Sequence, residues 1–291
     1  MLDGLNYTWH WSPITLAGLV ILSLLYGVGI KLTYKDEAQT PLQKYRILAF
    51  AGAILLLALV LLTPLDTIAR TQLFAAHMIQ AVAITTLCAP LLLAACPDWL
   101  LQPLIAQPVF RWIFQTLTQP LVASILFNLT FLIWHAPGLY NAALARGTLY
   151  HVEMLSFLLT SLLNWWPLIG PLRPWRKLSY PQQMLYAFLD GQPVDIFAFL
   201  LVFTGVVFYK HYAIPSQFIG WGYSAVADQT IGGAFLLVPG LVDLVVMSPL
   251  FFLWLSQIER QAKVDDVRRQ EEEEARLAAE SMEIEGTEAE A

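Results

Sequence analysis

Apolar residues occur in long unbroken runs, without the alternation of a half-buried strand or the single apolar stripe of a soluble helix. Seven runs approach the roughly 20 residues a helix needs to cross a bilayer: 14–30, 47–62, 73–95, 121–134, 152–169, 185–208 and 231–255. The second is short, and Asn128 and Thr130 dilute the fourth. Residues 99–114 are also apolar, but Pro103 and Pro108 interrupt them, which predicts a segment lying in the membrane interface. Pro64, Pro97, Pro137, Pro171 and Pro215 fall in connections, where helices stop. The pattern predicts an all-α fold, an integral membrane bundle of seven transmembrane helices over residues 1–258. A charged, Ala/Glu-rich tail over 259–291, helical to disordered, follows it. Gly232, Gly233 and Ala234 give the seventh helix a small-residue face for close packing.

Charge orients the bundle. The connections after the first, third and fifth runs, together with the tail, hold thirteen of the 16 Lys and Arg residues. The alternate connections hold only Arg70, Arg146 and Lys210. By the positive-inside rule the N-terminus is outside and the C-terminus cytoplasmic, with Trp9 and Trp11 at the outer interface. The first run has no basic segment before it and no small-residue cleavage site, so it is expected to be a retained helix. The net charge of −6 comes from the tail, where 12 acidic residues meet five basic ones, and the body is nearly neutral. No basic, aromatic-interleaved surface suggests nucleic acid as a partner; the lipid bilayer is the partner that composition implies. Cys88 and Cys96 lie about 12 Å apart along one helix, too far for a disulfide.

The orientation gathers candidate chemistry on one side. His10, His77, His135, His151 and His211 all fall on the outer side, with Asp66, Glu153, Asp228 and Gln229. Met78 and Met154 lie at adjacent depth, and His151 and Met154 share a helix face at i, i+3. Imidazole and thioether suit copper, including Cu(I), which makes His77 and His135, then His151, Met154 and Glu153, candidate ligands. The competing reading is that amphipathic imidazoles simply sit well at an interface. Asp190 lies near the inner end of the sixth helix, and Asp195 and Asp243 fall near mid-membrane. No cation shares their depth, so Asp195 and Asp243 are expected to be uncharged and to face the bundle interior. They serve either a polar path or partner contact, or interhelical hydrogen bonds to Asn128, Asn164 or one another. No Walker loop, HExxH, nucleophile elbow or intrahelical lysine of a retinal protein is present, and no catalytic residue is assigned. No inverted repeat is obvious.

An ordered set of motifs runs across nearly the whole apolar region. It begins with Trp9-His10-Trp11 before Pro13, then Leu73-Phe74-Ala75-Ala76-His77-Met78-Ile79-Gln80 and Pro90-Leu91-Leu92-Leu93. Trp134-His135-Ala136-Pro137-Gly138-Leu139-Tyr140, Leu155-Ser156-Phe157 and Trp165-Trp166-Pro167 follow. Ala227-Asp228-Gln229, Gly232-Gly233 and Val238-Pro239-Gly240 complete it. The set resembles the CtaG-type cytochrome c oxidase assembly proteins, a family of bacterial membrane proteins. The resemblance implies a multi-pass, non-enzymatic factor of the bacterial plasma (inner) membrane that helps mature a haem–copper oxidase, with copper delivery at the outer face. Its implied partners are oxidase subunits or another respiratory membrane complex. The chain departs from the family pattern at three histidine positions, where it carries Ala81, Tyr150 and Met154. Methionine can still ligate Cu(I), whereas alanine and tyrosine cannot. Two other functions compatible with the residues are a metal-free accessory subunit and a proton-coupled transporter using the buried acids.

Overall fold

The computed structural model describes residues 4–9, 11–33 and 41–289, and among these it is built of helices with no strand. In chain order the helices are α1 (Pro13–Thr33), α2 (Pro41–Leu62), α3 (Pro64–Thr71), α4 (Phe74–Val82), α5 (Ala89–Ala95), α6 (Asp98–Ile105) and α7 (Pro108–Leu117). They continue with α8 (Pro120–Trp134), α9 (Pro137–Ala145), α10 (Gly147–Ile169), α11 (Tyr180–Phe203), α12 (Ser216–Gly220), α13 (Ala225–Phe235) and α14 (Val238–Ala289). Six of them begin on a proline, whose fixed φ suits the first turn and whose missing N–H is an orphan there anyway. Six helices among the described residues, with α4–α5 counted as one and α13–α14 as another, are long and apolar enough to cross a membrane. The bent pair α7 and α8, at 71°, would make a seventh.

The architecture adjusts several sequence expectations, and its six spans become the expected seven only if the bent pair is one span. The sixth run is helical only to Phe203; residues 204–208 leave the helix. Residues 99–114 form α6 and most of α7, and α7 buries none of its side chains. The tail continues α14 without a break to Ala289, and its side chains from Glu259 to Leu277 are exposed. His10 and Lys35 lie outside the described residues.

The core runs through the third span. A π-helical turn, Ala83–Cys88, joins α4 to α5. In that register Ala89 N–H bonds Ile84 O, and the next bond would go from residue 90 to Thr85 O. Residue 90 is proline and cannot donate. The Trp165 indole of α10 donates to Thr85 O instead, at 2.9 Å, so the freed carbonyl stays paired within the bundle. Around this span pack α2, α10 and α13, while α11 lies against α8, α13 and α14. Gly232 and Gly233 allow the tightest approach. A Cβ on Gly232 would come within 2.6 Å of Phe74 Cε1 and 3.1 Å of Met78 Cγ, and one on Gly233 within 2.9 Å of Leu201 Cβ. The close-packing face expected of the seventh run is therefore made by Gly232 and Gly233, which meet α4 and α11, while Ala234 is exposed and lies off it.

The exterior is apolar. Leu24 and Leu25 on α1, Leu55 on α2, Leu121 on α8, Ile196 and Phe203 on α11, and Leu241 and Val245 on α14 stand exposed. His77, Gln80 and Glu153 are wholly enclosed. Apolar outside and polar inside is the arrangement that a hydrocarbon solvent selects.

Candidate functional site

The buried polar residues converge at the end of the bundle where α4 and α10 begin and α8 ends. His77 lies one turn into α4, Glu153 two turns into α10, and His135 caps α8. His77 Nε2 is 3.4 Å from Glu153 Oε1, and both side chains are 0% exposed. The His77 and His135 rings have centroids 5.9 Å apart. His135 Nδ1 lies 2.8 Å from Phe131 O, a carbonyl that can only accept. That ring is therefore the Nδ1–H tautomer, and its Nε2 presents a lone pair.

The walls of the site are aromatic and pinned. Tyr140 stands edge-on to His77 at 5.0 Å between centroids, and its hydroxyl bonds that of Tyr212. Tyr209 donates to His135 O at 2.6 Å and stacks on Phe74 at 4.5 Å. Phe131 and Phe157 stack against His135, at 4.3 and 5.7 Å, and against each other, at 5.3 Å. The Tyr150 hydroxyl is 2.9 Å from Asp66 Oδ1 and 2.8 Å from Gln80 Oε1. Gln80 Nε2 donates to Val60 O at 2.5 Å and Asp66 Oδ1 at 3.3 Å, and Arg70 covers the Tyr150 ring at 4.7 Å.

Inside this satisfied frame five polar atoms lack a hydrogen-bond partner: His77 Nδ1 and Nε2, His135 Nε2, and both Glu153 oxygens. Buried polar atoms are paired in the great majority of proteins, so an orphan group collected in one place indicates a ligand, an ion or ordered water. Two imidazoles and a carboxylate, with Met78 and Met154 in the same buried core, form a donor set that copper accepts. Among the described residues no three His, Cys, Asp or Glu side chains already converge on one metal position. The nearest approach is the pair His77 and Glu153.

The other candidates take different places. His151 is engaged with α1: its Nε2 lies 3.0 Å from Ser12 Oγ, which caps that helix through Thr15 N–H. His211 is exposed in the 204–215 connection. Asp228 accepts from the N–H groups of Phe74 and Ala75 at 2.7 and 3.1 Å and from Tyr223 at 2.8 Å. It is the N-terminal cap of the helix that carries His77, supplied from α13. Gln229 Oε1 accepts from Phe208 N–H and its Nε2 donates to Val206 O, both at 2.8 Å, which straps the connection bearing Tyr209 and Tyr212 onto the bundle. Both residues thus brace the site.

The buried acids divide. Asn128 and Asn164 donate to Asp190, at 3.2 and 2.5 Å, as the hydrogen-bond reading expects. Neither amide reaches Asp195 or Asp243. Those two carboxylates flank Gly191, whose Cβ would stand 3.4 Å from Asp243 Oδ2 and 3.7 Å from Asp195 Oδ2. All three acids line a cavity of about 60 Å³, which Phe131 separates from His135.

The sequence did not reveal the tyrosine frame or the Asp66–Gln80–Tyr150 network. The contacts of Tyr150 join positions 70 and 84 residues apart, and no local pattern encodes them.

The architecture and the site define a multi-pass helical membrane protein with an enclosed His/Glu centre at one end of its bundle. Residues 24–257 match the cytochrome c oxidase caa3 assembly factor family, Caa3_CtaG. The chain belongs to that family. No curated protein and no solved structure matches it.

Proposed function

We propose that the protein is a non-enzymatic factor of cytochrome c oxidase biogenesis that holds a Cu(I) ion for delivery to the oxidase at the outer face of the bacterial plasma membrane. The observation that carries this reading is the group of five ligand atoms on His77, His135 and Glu153 that make no hydrogen bond, inside a cage whose tyrosines are hydrogen-bonded. His77 and Glu153 would hold the ion, with His135 Nε2 and the Met154 thioether as further donors; His151 joins only by leaving Ser12. The 3.4 Å between His77 Nε2 and Glu153 Oε1 is long for a charge-assisted hydrogen bond. It is close to the ~3.3 Å that two ligands of one tetrahedral ion show at bond lengths of about 2.0–2.1 Å. Cu(I) is the cargo here, and a set without thiolate suits transfer rather than permanent storage.

Seven spans, with the N-terminus outside and the tail in the cytoplasm, complete the proposal. Thirteen of the 16 Lys and Arg residues on alternate connections support it. So does the position of the His/Glu cluster, at the end of the bundle that carries Arg70 and Arg146. The partner is a haem–copper oxidase or one of its subunits. Two observations favour a second reading, a metal-free accessory subunit of a respiratory complex: Tyr150 is committed to Asp66 and Gln80, and among the described residues no three His, Cys, Asp or Glu side chains form a metal position. Nothing comparable supports the transporter.

Deleting the gene separates the two readings. Copper delivery predicts a membrane with reduced terminal-oxidase activity, an oxidase short of copper, and partial recovery on added copper, with upstream dehydrogenases unchanged. A structural role predicts loss of the complex that copper does not relieve. Normal oxidase level, metal content and activity would reject both.

A further inference from the structure

The opposite end of the bundle holds a larger cavity, of about 670 Å³, where α2 begins and α5 and α10 end. Three guanidiniums line it, Arg46, Arg173 and Arg176, against one carboxylate, Asp98. None of the three arginines belongs to an ion pair among the described residues. Arg176 donates through Nη1 to Leu168 O at 3.1 Å, and its shielded Nε has no partner. Burial, and then the like charge of Arg173, push the Arg176 pKa down from its usual range, yet an arginine stays protonated. Arg176 is thus half-buried and feels the like charge of the exposed Arg173, and neither guanidinium is ion-paired among the described residues.

The turn that presents them is rigid. Gly170 ends α10 where a Cβ would fall 2.6 Å from Trp166 O, and Pro171 and Pro174 bracket Arg173. The surroundings also fix the depth. The bent pair α7 and α8 is apolar and long enough to cross the bilayer only as a pair, and α7 turns 71° from α8. α7 buries no side chain and exposes Phe110 and Trp112, as a helix lying in the interfacial plane does. The cavity wall next to the arginines is apolar, with Leu93, Ile105 and Leu172 buried there. A cationic cleft beside an apolar wall at headgroup depth is built for an amphiphile whose polar end is anionic.

We propose that this cavity is a binding site for the phosphate of an anionic membrane phospholipid, with the guanidiniums on the phosphate oxygens and an acyl chain along the Leu93–Leu172 wall. Arginine forks match phosphate oxygens bidentately, and a phosphodiester would neutralise the Arg173–Arg176 pair. The site is independent of the copper proposal, since it shares no residue with the His/Glu cluster.

The test uses the full chain purified in mild detergent and delipidated, then offered phosphatidylglycerol, phosphatidylcholine or inorganic phosphate, with bound lipid counted by native mass spectrometry. Wild type is expected to retain one phosphatidylglycerol and no phosphatidylcholine. Arg173→Gln/Arg176→Gln is expected to weaken retention about thirtyfold, the factor that two arginines carry at an anionic surface. Arg173→Gln alone, at an exposed side chain, should show about a fivefold loss without a folding defect. Arg146→Gln, at the other end of the bundle, should retain the lipid. Equal retention of the two lipids, or retention unchanged in the double variant, would overturn the proposal. Inorganic phosphate displacing phosphatidylglycerol at millimolar concentration would overturn the lipid assignment in favour of a soluble anion.

Discussion

At the scale of single residues, the site depends on groups that never touch a ligand. Asp228 supplies two carboxylate oxygens to the first two N–H groups of α4, and the next turn carries His77. Those N–H groups are helix-terminal orphans enclosed in a membrane protein, where water cannot substitute. Replacing Asp228 by alanine strands them, and hydrogen bonds to a charged group make the cost on the order of 3 kcal/mol. Asp228→Ala should therefore lower the unfolding temperature of the detergent-solubilised protein, and any copper uptake should weaken with it. An unfolding temperature equal to wild type would remove Asp228 from the frame. The sequence marks Asp228 and Gln229 as outer-side polar residues but not as braces. The groups they bond lie 154 and 21 residues away, so the role exists only once the bundle has closed. The direction of His151 was hidden for the same reason: its i, i+3 relation to Met154 is correct, yet its ring meets Ser12 of α1. Asp190 fares better, because Asn128 and Asn164 were already named as hydrogen-bond candidates for the buried acids and both bond it.

At the scale of elements, the apolar runs were legible because each exceeds what a soluble helix carries, and their interruptions coincide with prolines. What the pattern could not show is how a run is divided. The third run reads as one helix, but it contains a π-helical turn whose unpaired carbonyl is met by Trp165. The end of the sixth run was overestimated, since Gly205 adopts a φ of 63° and the chain there serves the strap held by Gln229. The small-residue face of α13 gives the clearest element-level prediction. Gly232→Ala places a Cβ against the Phe74 ring, and overpacking of this kind costs about 1–3 kcal/mol. It would push α13 from α4 and move Asp228 off its N–H partners. Gly240→Ala meets nothing within 4 Å and should be neutral. Comparing the unfolding temperatures of the two variants checks the packing; equal values would show that the α4–α13 approach is looser than described.

At the scale of the whole molecule, the two ends of the bundle differ in chemistry: an enclosed His/Glu cage with few cations nearby, and an arginine-lined cleft beside the exposed helix α7. The charge asymmetry that the sequence displays is thereby matched to two different sites. Reporter fusions at Arg146 should read out as external and fusions in the tail as cytoplasmic; a cytoplasmic signal at Arg146 would reverse both faces. The central claim is that the cage holds copper, and copper titration of the purified full-length protein under reducing conditions tests it most directly. Competition with a Cu(I) chelator should give one Cu(I) per chain for wild type. His77→Ala should bring copper to background while the protein still unfolds at a defined temperature. Glu153→Gln, which keeps the shape of the side chain but removes its charge, should weaken binding. Wild-type protein with no copper above background, or undiminished binding by His77→Ala, would contradict the account.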